Sequence, residues 1–241
     1  MPTLLVLGSK PAPVLPPRGS IDAVACANAS GFSARALGLP DPVFTVVTAV
    51  LTSGKASDEH SLRRLAGLRT GRLYHVRRPK ADSGGPLARL FAALRMRRMS
   101  ARELRRRLRA LDYRYDELVS RPARYYHDLV LELCGGDPEV AAAIARKQPS
   151  TGLLAVAIGL AEGRWDRIVM AGFDFTLAHA YGENPLIAER GSAASAHAPT
   201  DISILRCLAA RRPDLLTSEP AVHRRTGLPL VEAGDAEGAA A

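Results

Sequence analysis

Six histidines are the first candidates for acid–base chemistry in this 241-residue chain, and two of them stand apart. His60, His75, His127 and His223 fall in helix-like or polar stretches. His179 and His197 instead bracket a glycine- and alanine-rich stretch that follows the sequence Gly172-Phe173-Asp174-Phe175. A histidine on such a connection can act as a general base near neutral pH. No His-x-x-x-His or His-Glu-x-x-His spacing occurs, so no metal site is expected. There is also no Asp-x-Asp, the pair with which an enzyme would hold a diphosphate through a divalent cation. A Gly-x-Ser-x-Gly elbow and a Walker loop are missing too, despite Gly8-Ser9-Lys10. Prolines at 11 and 13 argue against a regular dinucleotide turn after the first strand. Cys26, Cys134 and Cys207 are odd in number and widely spaced, which fits reduced thiols in a cytosol.

The elements that must position these residues follow from short apolar runs and their punctuation. Residues 3–8 read as a buried strand stopping at Gly8, residues 22–28 as a second ending at Asn28, and 43–51 as a β-branched third. A helical pattern from Ser57 to Leu68, a strand at 72–76 and a Pro/Gly loop at 77–86 come next. Two or three helices are expected up to about residue 145. Pro149-Ser150-Thr151-Gly152 opens an apolar helix closed by Gly163, and 167–171 is a buried strand. The segment 176–196 has no periodicity and reads as a mobile lid. A helix at 201–211, a strand at 215–217 and a frayed tail at 231–241 complete the chain. Strands alternating with helices predict an α/β domain over 1–230, with a Rossmann-like, mostly parallel sheet that binds ligands at the carboxyl ends of its strands.

Hydrophobic residues make up 47% of the chain and charged ones 24%, which excludes a disordered protein. No apolar run approaches the ~20 residues needed to span a bilayer, and Leu4 to Leu7 is too short for a signal-peptide core. The formal net charge of +9 is concentrated: Arg89 to Arg109 holds nine arginines and one acid, Glu103. Leu87, Leu90, Phe91, Leu94, Leu104, Leu108 and Leu111 recur at helical spacing between them, giving a basic amphipathic segment that breaks near Ser100. Ser100 and Glu103 form a capping-box pattern for the second helix. Three readings stand beside each other for residues 87–111: a solvated face, an anionic membrane surface, or nucleic acid. A single aromatic residue, Phe91, in the basic run is not the aromatic interleaving of a nucleic-acid module, so nucleic acid is not expected.

The order of these motifs resembles that of the bacterial sialyltransferases of the capsule and lipooligosaccharide type and their Kdo-transferase relatives. The resemblance rests on strand-Gly8-Ser9-Lys10-Pro11, the strand end at Cys26 to Asn28, and Pro149-Ser150-Thr151-Gly152 before an apolar helix. It continues through Gly172-Phe173-Asp174-Phe175, a lid, and His197-Ala198-Pro199-Thr200-Asp201 opening a helix. Residues 149–217 match best, the amino-terminal block is weaker, and 52–145 matches no known pattern.

The resemblance implies a GT-A-like sialyltransferase variant of the α/β fold, with the lid at 176–196 and a basic helical insertion at 77–145. It implies transfer of a sialic-acid-like or Kdo-like sugar from a CMP-activated donor to a cell-surface glycan, free or lipid-linked, without a metal or other cofactor. His197 is then the catalytic base and Asp201 the acid behind it. Gly8, Ser9 and Asn28 would contact the nucleotide and phosphate, and Ser150, Thr151 and Gly152 the cytidine or its ribose. Phe175, Thr176, His179 and Tyr181 would line the donor site, with Thr176 and Tyr181 near the leaving phosphate. A base without a nucleophile gives inversion, whereas retention would need a carboxylate, for which Asp174 and then Asp201 are the candidates. A cytoplasmic protein, peripheral on the inner membrane through 87–111, is the corresponding expectation. The competing class is a non-catalytic nucleotide-binding or polybasic membrane-associated protein on the same fold.

Overall fold

The computed structural model describes residues 1–78, 94, 96–176 and 193–232. Among the described residues, seven strands form one sheet: β1 (Thr3–Leu7), β2 (Ala23–Ala27), β3 (Phe44–Thr48), β4 (Arg69–Arg77), β5 (Arg114–Pro122), β6 (Arg167–Ala171) and β7 (Leu215–Thr217). The spatial order is β5-β4-β3-β2-β1-β6-β7, and every pairing is parallel. The chain winds outward from β1 to β5, then returns to the far side of β1. The crevice between β1 and β6 is therefore the topological switch point, where such sheets leave room for a ligand.

Helices cover both faces, which is why the central strands are apolar at nearly every position. Leu4 and Val6 of β1 enter one core cluster, while Leu5 and Leu7 enter another on the opposite face. The first face carries α4 (Ala123–Leu133), α5 (Pro138–Arg146), α6 (Thr151–Glu162), α7 (Ala198–Arg211) and α8 (Pro220–Thr226). The second carries α1 (Ser30–Ala36), α2 (Ala56–Arg63) and α3 (Ala101–Ala110). Helix α6 is apolar around its whole circumference, as a helix buried across the sheet must be.

The apolar strands β1, β2, β6 and β7 lie within a residue or two of their expected bounds. Other elements differ from expectation. β3 ends at Thr48 and gives way to a 3₁₀ turn at Ala49–Thr52, and α2 stops at Arg63 rather than Leu68. The stretch to residue 145, read as helices alone, contains β5, a nine-residue strand at the sheet edge. Its apolar residues Tyr115 and Leu118 are three apart and mimic a helical period. The remaining charged side chains suit an edge that must not pair with another chain. Residues 77–145 are thus not a purely helical insertion, since they supply a strand of the sheet. Ser100 caps α3 by accepting the Glu103 N–H at 3.2 Å, but the Glu103 carboxylate turns to Arg106 instead of closing the box. The final helix before β7 begins at Ala198, three residues early. Val231 donates to the Thr217 carbonyl at 2.8 Å, so the tail expected from residue 231 is fastened at its first residue. Residues 233–241, and most of 176–196, lie outside the described residues.

Candidate functional site

The carboxyl ends of β1, β2, β3, β4 and β6 open into a cleft of about 380 Å³. That volume is in the range of small-molecule sites. The strand ends bring Gly8, Ser9, Asn28 and Asp174 to it; Phe175 and Thr176 follow on from β6. The amino terminus of α6 adds Ser150, Thr151 and Gly152, and the start of α7 adds His197 and Asp201. Eleven of the thirteen residues singled out from sequence therefore meet in one place. His179 and Tyr181 lie outside the described residues.

Close backbone packing sets the floor of the cleft. A Cβ on Gly8 would lie 2.2 Å from the Gly172 carbonyl oxygen, so only glycine lets the ends of β1 and β6 approach as they do. A Cβ on Gly152 would lie 2.5 Å from the Phe173 ring, which packs against the first turn of α6. Two non-glycine residues at the rim have positive φ: Asn28 at 50° and Phe175 at 64°. Asn tolerates this region, but Phe does not without support from its surroundings. The Phe175 ring is buried, with the Arg225 guanidinium 5.0 Å from its centroid.

The α6 terminus is polarised toward the cleft. The Ser150 hydroxyl accepts the Leu153 N–H at 3.2 Å. Among the described residues the Thr151 and Gly152 N–H groups have no acceptor. With the helix dipole behind them, these two donors favour an anion in front of the helix.

His197 lines the same cleft beside the start of this helix. Its Nδ1 is 2.7 Å from the Gln148 carbonyl oxygen. A carbonyl can only accept, so Nδ1 carries the hydrogen and Nε2 is the basic nitrogen of the neutral ring. Burial holds the imidazole below its ordinary 6.5; the Gln148 carbonyl opposes that shift, and the positive charges of Lys147 and Arg78 add to it. The ring is accordingly neutral at pH 7, oriented, and able to take a proton.

Asp201 does something different from what an acid exposed in the cleft would do. It is only 7% exposed, and its Oδ1 accepts the Ser150 N–H at 2.9 Å. Burial pushes its carboxyl up from 3.8 to about 6, against the Ser150 hydrogen bonds that pull it down. It clamps the start of α6 to the first turn of α7, the same junction at which Gln148 meets His197. Asp174 accepts both the Thr176 N–H (2.9 Å) and its hydroxyl (2.8 Å), a local turn that shapes the end of β6. Across the segment that follows, Thr176 and Ala194 form an antiparallel bridge and Ser195 N–H donates to the Phe175 carbonyl at 2.8 Å, so its two ends are joined.

Sequence reasoning missed Glu219. This fully buried carboxylate binds Lys10 Nζ (2.5 Å), Val14 N–H (3.0 Å) and Gly172 N–H (2.8 Å), tying the loop after β1 to the turn after β6. Its position before Pro220 signals a helix start but not the partners that fold around it. Arg78 also lines the cleft, as does Gln148, and neither stood out. Arg78 is one of many arginines, and Gln148 acts through its backbone. Among the described residues no three His, Cys, Asp or Glu side chains come together as metal ligands.

No family model matches the chain, and no curated protein sequence does either. Solved structures do match its fold. A variant of the sialyltransferase CST-II in complex with CMP aligns with a TM-score of 0.55 at 11% identity, covering 99% of this chain and 89% of that one. The sialyltransferase CstII from Campylobacter jejuni with the substrate analogue CMP-3FNeuAc gives a TM-score of 0.53 at 11% identity, over 97% and 87% of the two chains. CST-II with a trisaccharide acceptor and CMP gives 0.50 at 10% identity, over 98% and 88%. Over nearly its whole length, this chain therefore has the GT-A-like α/β fold of the CstII sialyltransferases.

Proposed function

We propose that this protein is a glycosyltransferase that transfers a sialic-acid-like or Kdo-like sugar from a CMP-activated donor to a glycan acceptor. The observation that carries the reading is His197. It is an imidazole fixed through Nδ1 on a backbone carbonyl, with Nε2 as its base, in a cleft that also presents two unpaired N–H groups of α6. Support comes from the shared fold with proteins solved in complex with CMP and with a trisaccharide acceptor.

In this reading the acceptor hydroxyl oxygen forms a bond to the anomeric carbon while the bond from that carbon to the CMP phosphate oxygen breaks. CMP leaves with the electron pair, and His197 Nε2 takes the acceptor's proton and releases it to solvent. The transition state is oxocarbenium-like. One phosphate leaves, and the Thr151 and Gly152 N–H groups with Ser9, Thr176 and Tyr181 stabilise its charge, so no metal is required. Asn28 and Gly8 place the nucleotide, and His179 is the residue that the resemblance assigns to donor contact. Because Asp174 is engaged with Thr176, the base-assisted single displacement, with inversion, is the reading adopted. The protein then works at the cytoplasmic face of the membrane, where nucleotide-activated sugars are supplied.

Thermal melting with CMP, CDP, UMP and NADH, each with and without EDTA, tests the donor assignment. A ligand at 100 times its Kd adds about 2.7 kcal/mol. A CMP-selective shift indifferent to EDTA is expected, followed by turnover of CMP-Kdo or CMP-sialic acid that Asp174→Asn spares. No response to CMP would sink the assignment and leave a nucleotide-indifferent α/β domain.

A further inference from the structure

We infer that the outer face of α3 is a docking surface for an anionic lipid bilayer. The inner face of this helix is committed: Leu104 and Leu108 are buried with Leu62, Leu65, Leu73 and Tyr113 in the core cluster on that side of the sheet. The helix therefore cannot turn its charges inward. Arg102, Arg105 and Arg109, at spacings of three and four, lie on the opposite, exposed face. Among the described residues no carboxylate pairs with any of them, nor with the exposed Arg97 and Arg98 just upstream. Arg106 and Arg107 differ, since they pair with Glu103 and Glu59.

Five guanidinium groups with no ion pair among the described residues, within thirteen residues, repel one another and weaken the segment that carries them. A surface dense in phosphates reverses the sign of that interaction, and guanidinium groups bind phosphate in a bidentate fork. A bilayer suits the face better than nucleic acid does. The arginines have no exposed aromatic among them on which bases could stack, and Leu94, four residues before Arg98, is 51% exposed beside them.

The location of α3 gives the docking a consequence. It packs on the 3₁₀ turn Ala49–Thr52, and Arg107 holds α2 through Glu59. Val50 and Leu51 of that turn, and Ser57, Asp58 and Ser61 of α2, form one wall of the cleft. A bilayer on α3 thus lies next to that wall, where a lipid-linked acceptor would be presented. This last step rests on the glycosyltransferase reading, whereas the docking itself does not.

The test is sedimentation of the full chain with vesicles of phosphatidylcholine alone and of phosphatidylcholine mixed with phosphatidylglycerol. Binding only to the mixed vesicles, weakening as salt rises, is expected. At about fivefold per basic residue, the triple variant R102Q/R105Q/R109Q should lose on the order of 100-fold in partition, while R102K/R105K/R109K keeps it. Both variants should fold and keep the parent's response to CMP, the lysine variant melting like the parent and the glutamine variant no lower, so a failure of docking and a failure of the donor assignment are separable. Equal binding to neutral vesicles, undiminished binding of the glutamine variant, or displacement from vesicles by a duplex oligonucleotide would each overturn the inference.

Discussion

Replacing Asp201 with Asn separates a buried clamp from a catalytic acid, and its effect can be worked out from the structure. The Asp201 carboxyl is raised from 3.8 to about 6 by burial. The folded chain therefore keeps a proton that the unfolded chain gives up between those two values. Stability contributed by that proton is present at low pH and is lost as pH rises through the window. At 1.36 kcal/mol per pH unit, the loss is about 3 kcal/mol. Asn has no charge to bury, and its side-chain carbonyl can still accept the Ser150 N–H. D201N should thus gain about 3 kcal/mol on its parent between pH ~3.5 and pH ~7. For a chain of this size that is roughly 6–12 °C in melting temperature. Melting curves of both proteins across this range measure it, and the difference between them cancels every other titrating group. D201N should also keep its turnover, because the α6–α7 junction and the Gln148–His197 contact remain. Asp201→Ala, by contrast, strands the Ser150 N–H and costs about 1–3 kcal/mol. A gap that stays constant with pH, or moves against the Asn variant, would refute the argument from burial. Loss of turnover in a stable D201N would restore Asp201 as an acid in the reaction.

Three further outcomes follow from the same geometry. His197→Ala should lower kcat by about 10²–10⁴, and because burial holds this imidazole below 6.5, the acidic limb of kcat/KM in the parent should lie below that pH; an acidic limb centred near pH ~8 would exclude His197 as the base. Glu219→Gln leaves Lys10 without its counter-charge and, with the amide oxygen kept on the Val14 and Gly172 N–H groups, turns an NH2 donor toward the Lys10 ammonium. A loss of about 1–3 kcal/mol together with a raised KM for the donor is expected, and an unchanged KM would show that the loop after β1 is held by other contacts. Gly8→Ala forces a methyl group to within 2.2 Å of a backbone oxygen and should destabilise the protein by about 1–3 kcal/mol or prevent folding, as read by urea melts; a neutral result would mean that β1 and β6 can part without cost.

Much of the frame was legible because buried parallel strands are written as short apolar runs. Thr3–Leu7, Arg167–Ala171 and Leu215–Thr217 have few solvent-facing positions to blur them, and Ser150 and Gly163 mark the ends of α6 by local chemistry alone. β5 was not legible, since an edge strand takes its partner from distant residues and carries charges that a helix would carry equally well. The polar stretches at strand ends drew attention as a set, and the order of their motifs carried the resemblance to the sialyltransferases.

What the sequence alone determined was therefore the elements and the residue types at their ends: strands that stop at Gly8, Asn28 and Gly172, a capped helix at Ser150, and a histidine before α7. Tertiary structure decided what those residues can do. The Gln148 carbonyl selects the His197 tautomer across 49 positions of chain, and the Ser150 N–H meets Asp201 across 51. Glu219 reaches Lys10 across 209. Each contact depends on where the parallel sheet brings its carboxyl ends together. A side chain's burial and its partners, which set its protonation and its orientation, exist only once distant segments share that edge.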